Sequence, residues 1–479
     1  MYGITVVRFA YLNITYCKKN KTSLLRQALF AFYLLIKPKN MKSLKCISRK
    51  KIGLIIILFF LVSCKKETDE GGASIGNNMS FTKQSGRIYE PDTGGFFGYD
   101  VAISSDGNTA VVGAPSADNN KGKVYIYIRN NNNWTLQASL TGPVNSYNLE
   151  AGFGTSVSIS ADGNTVFSGD DYNDFYGSNA SFFKREGTAW SEMGTALKLI
   201  PNSIGSDLYG RSISLSADGN IAVAGGFNGG RVSKLFIFNR VSDNWKNAVS
   251  ITVDSTDGTR DLILVNKVAI SGDGNVIALC KAKRRGGAAN IDFDGEIDMY
   301  SKVNNTWVKN STSILPSEKS DEYEFGRSIS LSQNGSFIIA GTSGENNIGG
   351  AYVFSNILTG KWIQQGAKLT NDINSPVNDI GSSVSISADG QSAIINGNLL
   401  APDASSPFTR KNIIFFYNQK SDSWKREGDY LIDDISSGSM DDFDYGENSI
   451  SLSGNATTIL FSNVFDFNKS KGYINFFYP

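Results

Sequence analysis

The chain has 479 residues, of which 46 are Lys or Arg and 45 are Asp or Glu, giving a net charge of +1, and it contains no histidine. Without imidazole there is no Ser-His-Asp or Cys-His catalysis, no His-ligated zinc, and no use of the commonest general base at neutral pH. There are four cysteines, at 17, 46, 64 and 280.

Residues 1–40 carry Lys and Arg and one apolar run, 24–36, interrupted by Arg26 and Gln27. That run is shorter than the ~20 apolar residues a membrane span requires. The stretch reads as a leader ahead of a true start at Met41, with a genuine long leader as the alternative. Residues 41–63 have the layout of a secretion signal: Lys42, Lys45, Arg49, Lys50 and Lys51, then an apolar core over 52–61, then Leu61-Val62-Ser63-Cys64. The last four resemble the bacterial lipobox, which implies that Cys64 is lipidated and becomes the mature N-terminus. The alternative is an uncleaved anchor with an incidental cysteine. Residues 64–78, rich in charge, Gly and Ser, read as a flexible tether. The charges after Cys64 also resemble surface-export tags of some lipoproteins, and a plain solvated linker is the other reading.

Cleavage changes the charge balance. Residues 1–63 hold 12 of the 46 basic residues and no acid, so 34 basic face 45 acidic residues in the mature chain, a net of −11. An acidic surface argues against a nucleic-acid partner. The expected location is the outer membrane, on its periplasmic or cell-surface side, with attachment through the N-terminal lipid. Cys280 is then the one mature cysteine besides the anchor, so no internal disulfide is possible. It is expected as a small buried residue in a strand.

Residues 79–479 repeat one pattern. Asp106-Gly107, Asp162-Gly163, Asp218-Gly219, Asp273-Gly274, Asn334-Gly335 and Asp389-Gly390 are hairpin signals, their glycines 56, 56, 55, 61 and 55 residues apart. Ser453-Gly454-Asn455-Ala456 is a seventh, altered copy. Before each turn apolar residues alternate with serine, as in Val157, Ile159 and Ile213, Leu215, which is the period of a strand. A more apolar strand follows the turn, then an aromatic-rich third such as 413–417. A fourth starts at a tryptophan: all six, at 134, 190, 245, 307, 362 and 424, occupy this one position. Regular spacing makes them packing residues between sheets, with an aromatic sugar or base platform as the rival reading.

Seven units of four strands predict an all-β, seven-bladed β-propeller of antiparallel blades. The seventh unit reaches Pro479 after its third strand. Phe81-Thr-Lys-Gln-Ser-Gly-Arg-Ile88 aligns with Trp362-Ile-Gln-Gln-Gly-Ala-Lys-Leu369, so the N-terminal strand is expected to close the last blade, Phe81 standing where Trp would.

Phe97-Gly98, Phe153-Gly154, Tyr209-Gly210 and Phe325-Gly326 open their units, and Val112-Gly113-Ala114-Pro115 follows the first hairpin. This pattern resembles the FG-GAP repeat family, the propeller related to integrin α-subunit heads. Leu264-Val265 replaces the Phe-Gly of unit four, Ile380-Gly381 is partial, and only unit one keeps Gly-Ala-Pro. The resemblance implies calcium loops between the first two strands of some units, but here that loop is cut to a tight turn. It also implies that the residue after each opening glycine faces the central channel: Tyr99, Thr155, Arg211, Asn266, Arg327 and Ser382, with Glu447 in unit seven. Two arginines at equivalent positions can hold a carboxylate or sulfate. They can equally bridge neighbouring blades.

Acids gather between second and third strands at Asp170, Asp171 and Asp174, and at Asn290, Asp292 and Asp294. The second group has oxygens at alternate positions before Gly295, which makes it a candidate calcium loop, or else a polar turn. Glu296 and Asp298 are near, and Lys281, Lys283, Arg284 and Arg285 weaken a cation site if they fold close. No other cofactor is expected. Together these features predict a non-catalytic binding or adhesion propeller that presents loops to a protein or glycan. The rivals are a carboxylate-based glycosidase or lyase at the channel mouth, and a structural subunit of an outer-membrane assembly.

Overall fold

The computed structural model describes residues 81–479 except for 143–151, 171–178, 199–209, 228–232, 254–261, 285–293, 318–323, 344–347, 371–376, 401–409, 434–447, 467–470 and a few shorter stretches. The expectations for the leader, the signal, Cys64 and the tether fall outside the described residues.

Alternating Ser and aliphatic side chains produce strands, and tight turns fold consecutive strands against each other. Blade 1 shows the plan: Val101–Ile103, Thr109–Ala114, Lys123–Asn130 and Asn133–Thr141 pair in sequence order, all antiparallel. Seven such sheets form. Their first strands, from Val101–Ile103 through Ser156–Ile159, Ser212–Leu215, Leu262–Ile270, Glu324–Leu331 and Val384–Ile386 to Ile450–Leu452, each neighbour the next. The last neighbours the first, so the circle closes.

The turn carries a clip that recurs in every unit. Ser104 Oγ donates to Asp106 Oδ1 (2.6 Å), which also accepts from the Asn108 N–H (3.0 Å), while Ser104 Oγ accepts from the Thr109 N–H (3.0 Å). Ser160–Asp162, Ser216–Asp218, Ser271–Asp273, Ser332–Asn334, Ser387–Asp389 and Ser453–Asn455 make the same contact. Burial raises the Asp106 carboxyl, but the Ser104 and Asn108 hydrogen bonds outweigh it and hold the group below the usual range.

A propeller has no single central core. Seven apolar clusters each lie between one blade and the next. Every tryptophan belongs to the cluster shared with the preceding blade. Trp134 stacks on Phe476 and Trp245 on Phe182, with ring centroids 3.9 Å apart in both pairs. Their packing role is thereby explained by position: the fourth strand starts at the blade's outer edge, beside the neighbour's third strand.

The closing strand forms in two pieces. Thr82 and Lys83 pair with Tyr478 and Phe477, and Ile88 and Tyr89 with Ile474 and Tyr473. Phe81 is buried against Phe416 of blade 6 at 4.8 Å, the same relation that Trp134 and Trp245 have to their preceding blades.

The opening glycines are also explained by contact. A Cβ on Gly113 would lie 2.0 Å from the carbonyl oxygen of Gly154, which itself has φ +94°. Gly154, Gly210 and Gly381 thus nest on second-strand glycines Gly113, Gly169 and Gly341 of the blade before, while Gly98 meets Ser462 of blade 7. Blade 4 has Cys280 in that column. Its thiol is fully buried, donates to the Phe325 carbonyl (3.4 Å) and is pushed by burial up to about 12, so it is inert.

Candidate functional site

Each first strand turns alternate side chains to the two sides. Val101 and Ile103 enter the interblade core, whereas Ala102 lines the central channel. In the other blades Ser158, Ser214, Ala269, Ser330, Ser385 and Ser451 take the lining position. Together they surround a cavity of about 270 Å³ to which all seven blades contribute, toward the hairpin-turn end. The serines also solve an edge problem, because an innermost strand has unpaired N–H groups. Ser158, Ser214, Ser330 and Ser385 accept from the N–H of Leu215, Ile270, Ile386 and Leu452, each in the next blade (3.1–3.3 Å).

At the turn end the backbone itself makes a belt. Ser105 donates to Ala161, Ala161 to Ala217, Ala217 to Gly272, Asp273 to Gln333, Gln333 to Ala388, Ala388 to Gly454, and Asn455 to Ser105, at 2.7–3.1 Å. One interblade bond per blade returns to its start.

The opposite end is different. Tyr99, Thr155, Arg211 and Ser382 stand just before their first strands and Asn266 and Arg327 within theirs, and none lines the 270 Å³ cavity. Thr155 is buried and donates to the Gly152 carbonyl (2.7 Å); Ser382 donates to Asn396 Oδ1 (3.0 Å); Arg211 is exposed; Tyr99, Asn266 and Arg327 are half-buried. Glu447 lies outside the described residues. By the two-residue period, the positions that share the lining face are one residue later: Asp100, Ser156, Ser212, Lys267, Ser328, Ser383 and Ser449. These positions continue the lining column toward this end. The opening glycines have positive φ, as at Gly98 (+91°) and Gly154 (+94°), so strand alternation counts from after that turn.

This column is serine in five blades and charged in two. Asp100 accepts from the Val101 N–H (3.0 Å), Ser449 Oγ (3.0 Å) and the Val157 N–H of the next blade (2.8 Å). Burial lifts its carboxyl above the usual aspartate range, against the lowering pull of Lys267 and those hydrogen bonds. Asp100 and Lys267 were missed in the sequence. The available signal was a charge interrupting a serine column, visible only once the register is known. Of these channel-facing positions, one carries a carboxylate, whereas two-carboxylate glycoside chemistry takes a pair.

The calcium candidates are placed in part. Asn290 and Asp292 lie outside the described residues, and Asp294 begins the strand Asp294–Val303. The acids next to them are already engaged. Lys281 contacts both Glu296 and Asp298 (2.9 Å to the latter), and Asp298 also takes Lys309 (2.8 Å) and the Ser313 hydroxyl (2.5 Å). Burial raises the Asp298 carboxyl, and the Lys309, Ser313 and Lys281 contacts outweigh it, holding it low. These two side chains therefore do not fit as ligands for a cation. Among the described residues no group of three or more His, Cys, Asp or Glu could hold a metal. Asp170 is buried, and Asp171 and Asp174 lie outside the described residues.

Residues 90–127 match the FG-GAP repeat family. No curated protein matches the chain. Among solved structures it is similar to hydrazine synthase of Kuenenia stuttgartiensis (12% identity, 82% of this chain and 97% of that one, TM-score 0.47). It is also similar to oligogalacturonate lyase of Vibrio parahaemolyticus (10%, 84% and 94%, 0.47) and to a putative 6-phosphogluconolactonase of Bacteroides uniformis (12%, 70% and 85%, 0.44).

Proposed function

We propose that the chain is a lipid-anchored, extracytoplasmic binding propeller whose loop-bearing face takes a protein or glycan partner without catalysis. The observation that carries this reading is the inequality of the two faces. At one end every first-to-second-strand connection is the same clipped turn, tied into the backbone belt. Third-to-fourth connections at that end include two-residue hairpins, such as the one between Asn130 and Asn133. All second-to-third connections leave at the other end, and they vary from four residues, between Asp466 and Lys471, to nine, between Arg284 and Asp294. A rigid ring with variable connections on one side is the layout of a recognition surface. The absence of histidine and the lipobox-like Leu61-Val62-Ser63-Cys64 support the non-catalytic, anchored part.

Cys64→Ala is expected to move the protein from the membrane to the soluble fraction and to abolish acyl labelling; membrane retention in that variant, without label, overturns the anchor. For the partner, the detergent-solubilised full chain is expected to bind members of a panel of defined surface polysaccharides and envelope proteins without altering them. Release of reducing ends or unsaturated sugars from a bound polysaccharide overturns the non-catalytic reading in favour of the glycosidase or lyase.

A further inference from the structure

Lys267 is the one basic residue in the channel-facing column, in the first strand of blade 4; Asp100 stands three blades away in the ring of seven. Val268 and Val265 enter the interblade core and Ala269 lines the channel, so Lys267 shares the lining face. The ammonium is half-buried and forms no hydrogen bond or ion pair among the described residues. Its charge acts on Asp100, whose carboxyl burial makes easier to protonate, so a ligand anion can take the place of that weakened counter-charge.

The neighbouring groups narrow the choice. The Ser156 and Ser328 hydroxyls are spent on the Gly210 and Gly381 carbonyls (2.5 and 2.8 Å). Ser212 and Ser383 only accept, from the Val268 and Ile450 N–H groups (2.9 and 3.2 Å), so their O–H groups remain to donate. The Asp100 oxygens already take three hydrogen bonds. What the lumen leaves unspent is therefore one positive charge and hydroxyl donors. Farther along the strands, the lining of the 270 Å³ cavity is uncharged and rich in serine. A carboxylate suits the first region and a hydroxylated body suits the second.

We propose that the channel holds the carboxylate of a sugar acid on Lys267, with Ser212 and Ser383 donating to it, the acid being either free or the end of a glycan. The glycan-borne case rests on the binding role proposed above; the free acid does not.

The test is calorimetric titration of the detergent-solubilised full chain with sodium glucuronate, with a disaccharide ending in glucuronate, and with glucose. Heat from glucuronate alone identifies the free acid as ligand, and heat from the disaccharide alone identifies a chain end. Lys267→Met is expected to weaken either by about ten- to hundredfold, the loss of one hydrogen bond to a charged group, and Ser212→Ala with Ser383→Ala by less. Lys267→Gln serves as a second variant, and melting curves of both establish that they fold. The proposal is overturned by silence from both acids at millimolar concentration, by equal binding of glucose, or by undiminished binding in a folded Lys267 variant. Capture of a polysaccharide elsewhere on the ring, with Lys267→Met unaffected, removes this site and leaves the broader binding role intact.

Discussion

Glu90 is the residue whose surroundings are least complete. It is 3% exposed, one carboxyl oxygen accepts from the Gly95 N–H (2.8 Å), and the other has no partner. Burial lifts its carboxyl from 4.5 to about 7, with Asp92 adding to the rise, and the Gly95 and Gly472 N–H groups and the Lys471 ammonium opposing it. The carboxyl is easier to protonate in the folded ring than in the unfolded chain. Its stabilisation is therefore full below about pH 4.5 and is lost as pH rises toward and through 7, by on the order of 3 kcal/mol. With no histidine in the chain, this window is clear of imidazole titration. Thermal unfolding between pH 5 and 8 should show a melting temperature that falls with pH, and Glu90→Gln should remove the Glu90 share of that slope, the raised carboxyl of Asp100 contributing in the same direction; an unchanged slope would disprove the assignment. At the same scale, the seventh turn shows what sequence reading missed. Ser453-Gly454-Asn455-Ala456 looks displaced by one, yet Asn455 takes the aspartate's place and Ala456 the glycine's, with φ +57°. An alanine accepts the left-handed conformation there because clip and belt hold the turn from both sides.

Among elements, the closing strand is the shortest and has the largest consequence. Its two pieces, Thr82–Lys83 and Ile88–Tyr89, are too short to persist alone, and Phe81 anchors them between blades 6 and 7. Phe81→Ala should cost about 3 kcal/mol, the lower part of the range for truncating a buried Phe. Phe81→Trp should be tolerated, because Trp fills this position in the other six blades. Denaturant unfolding checks both, and a Phe81→Ala variant as stable as the parent would show that the side chain is not the anchor. The strands, their turns and this alignment were readable from period-two alternation and Asp-Gly spacing, which are local properties. The channel face was not, because side-chain direction after an opening glycine depends on its positive φ, and Asn266 additionally sits where the pairing of Val265 and Lys267 with the next strand skips a residue.

At the scale of the molecule, seven interblade clusters and two sets of interblade hydrogen bonds make each blade depend on both neighbours. Removing residues 81–89 should therefore lower the melting temperature of the whole ring, not of blade 7 alone, and a synthetic 81–89 peptide added in excess should restore part of it through mass action. A deletion variant that melts like the parent would show that closure does not depend on this segment. Repetition determined the blade count, the strand order, the tryptophan pockets and the need for a closing strand, since a strand pattern and its turns are set by neighbours in the chain. Only the tertiary structure decided that the serines satisfy the next blade's N–H groups, that the turns join into a belt, that Glu296 and Asp298 are consumed by lysines, and that Asp100 and Lys267 share one channel. The serine, belt and channel contacts join residues about fifty or more positions apart, and the lysine contacts of Glu296 and Asp298 depend on how neighbouring strands pair, so none of them leaves a mark in a single sequence.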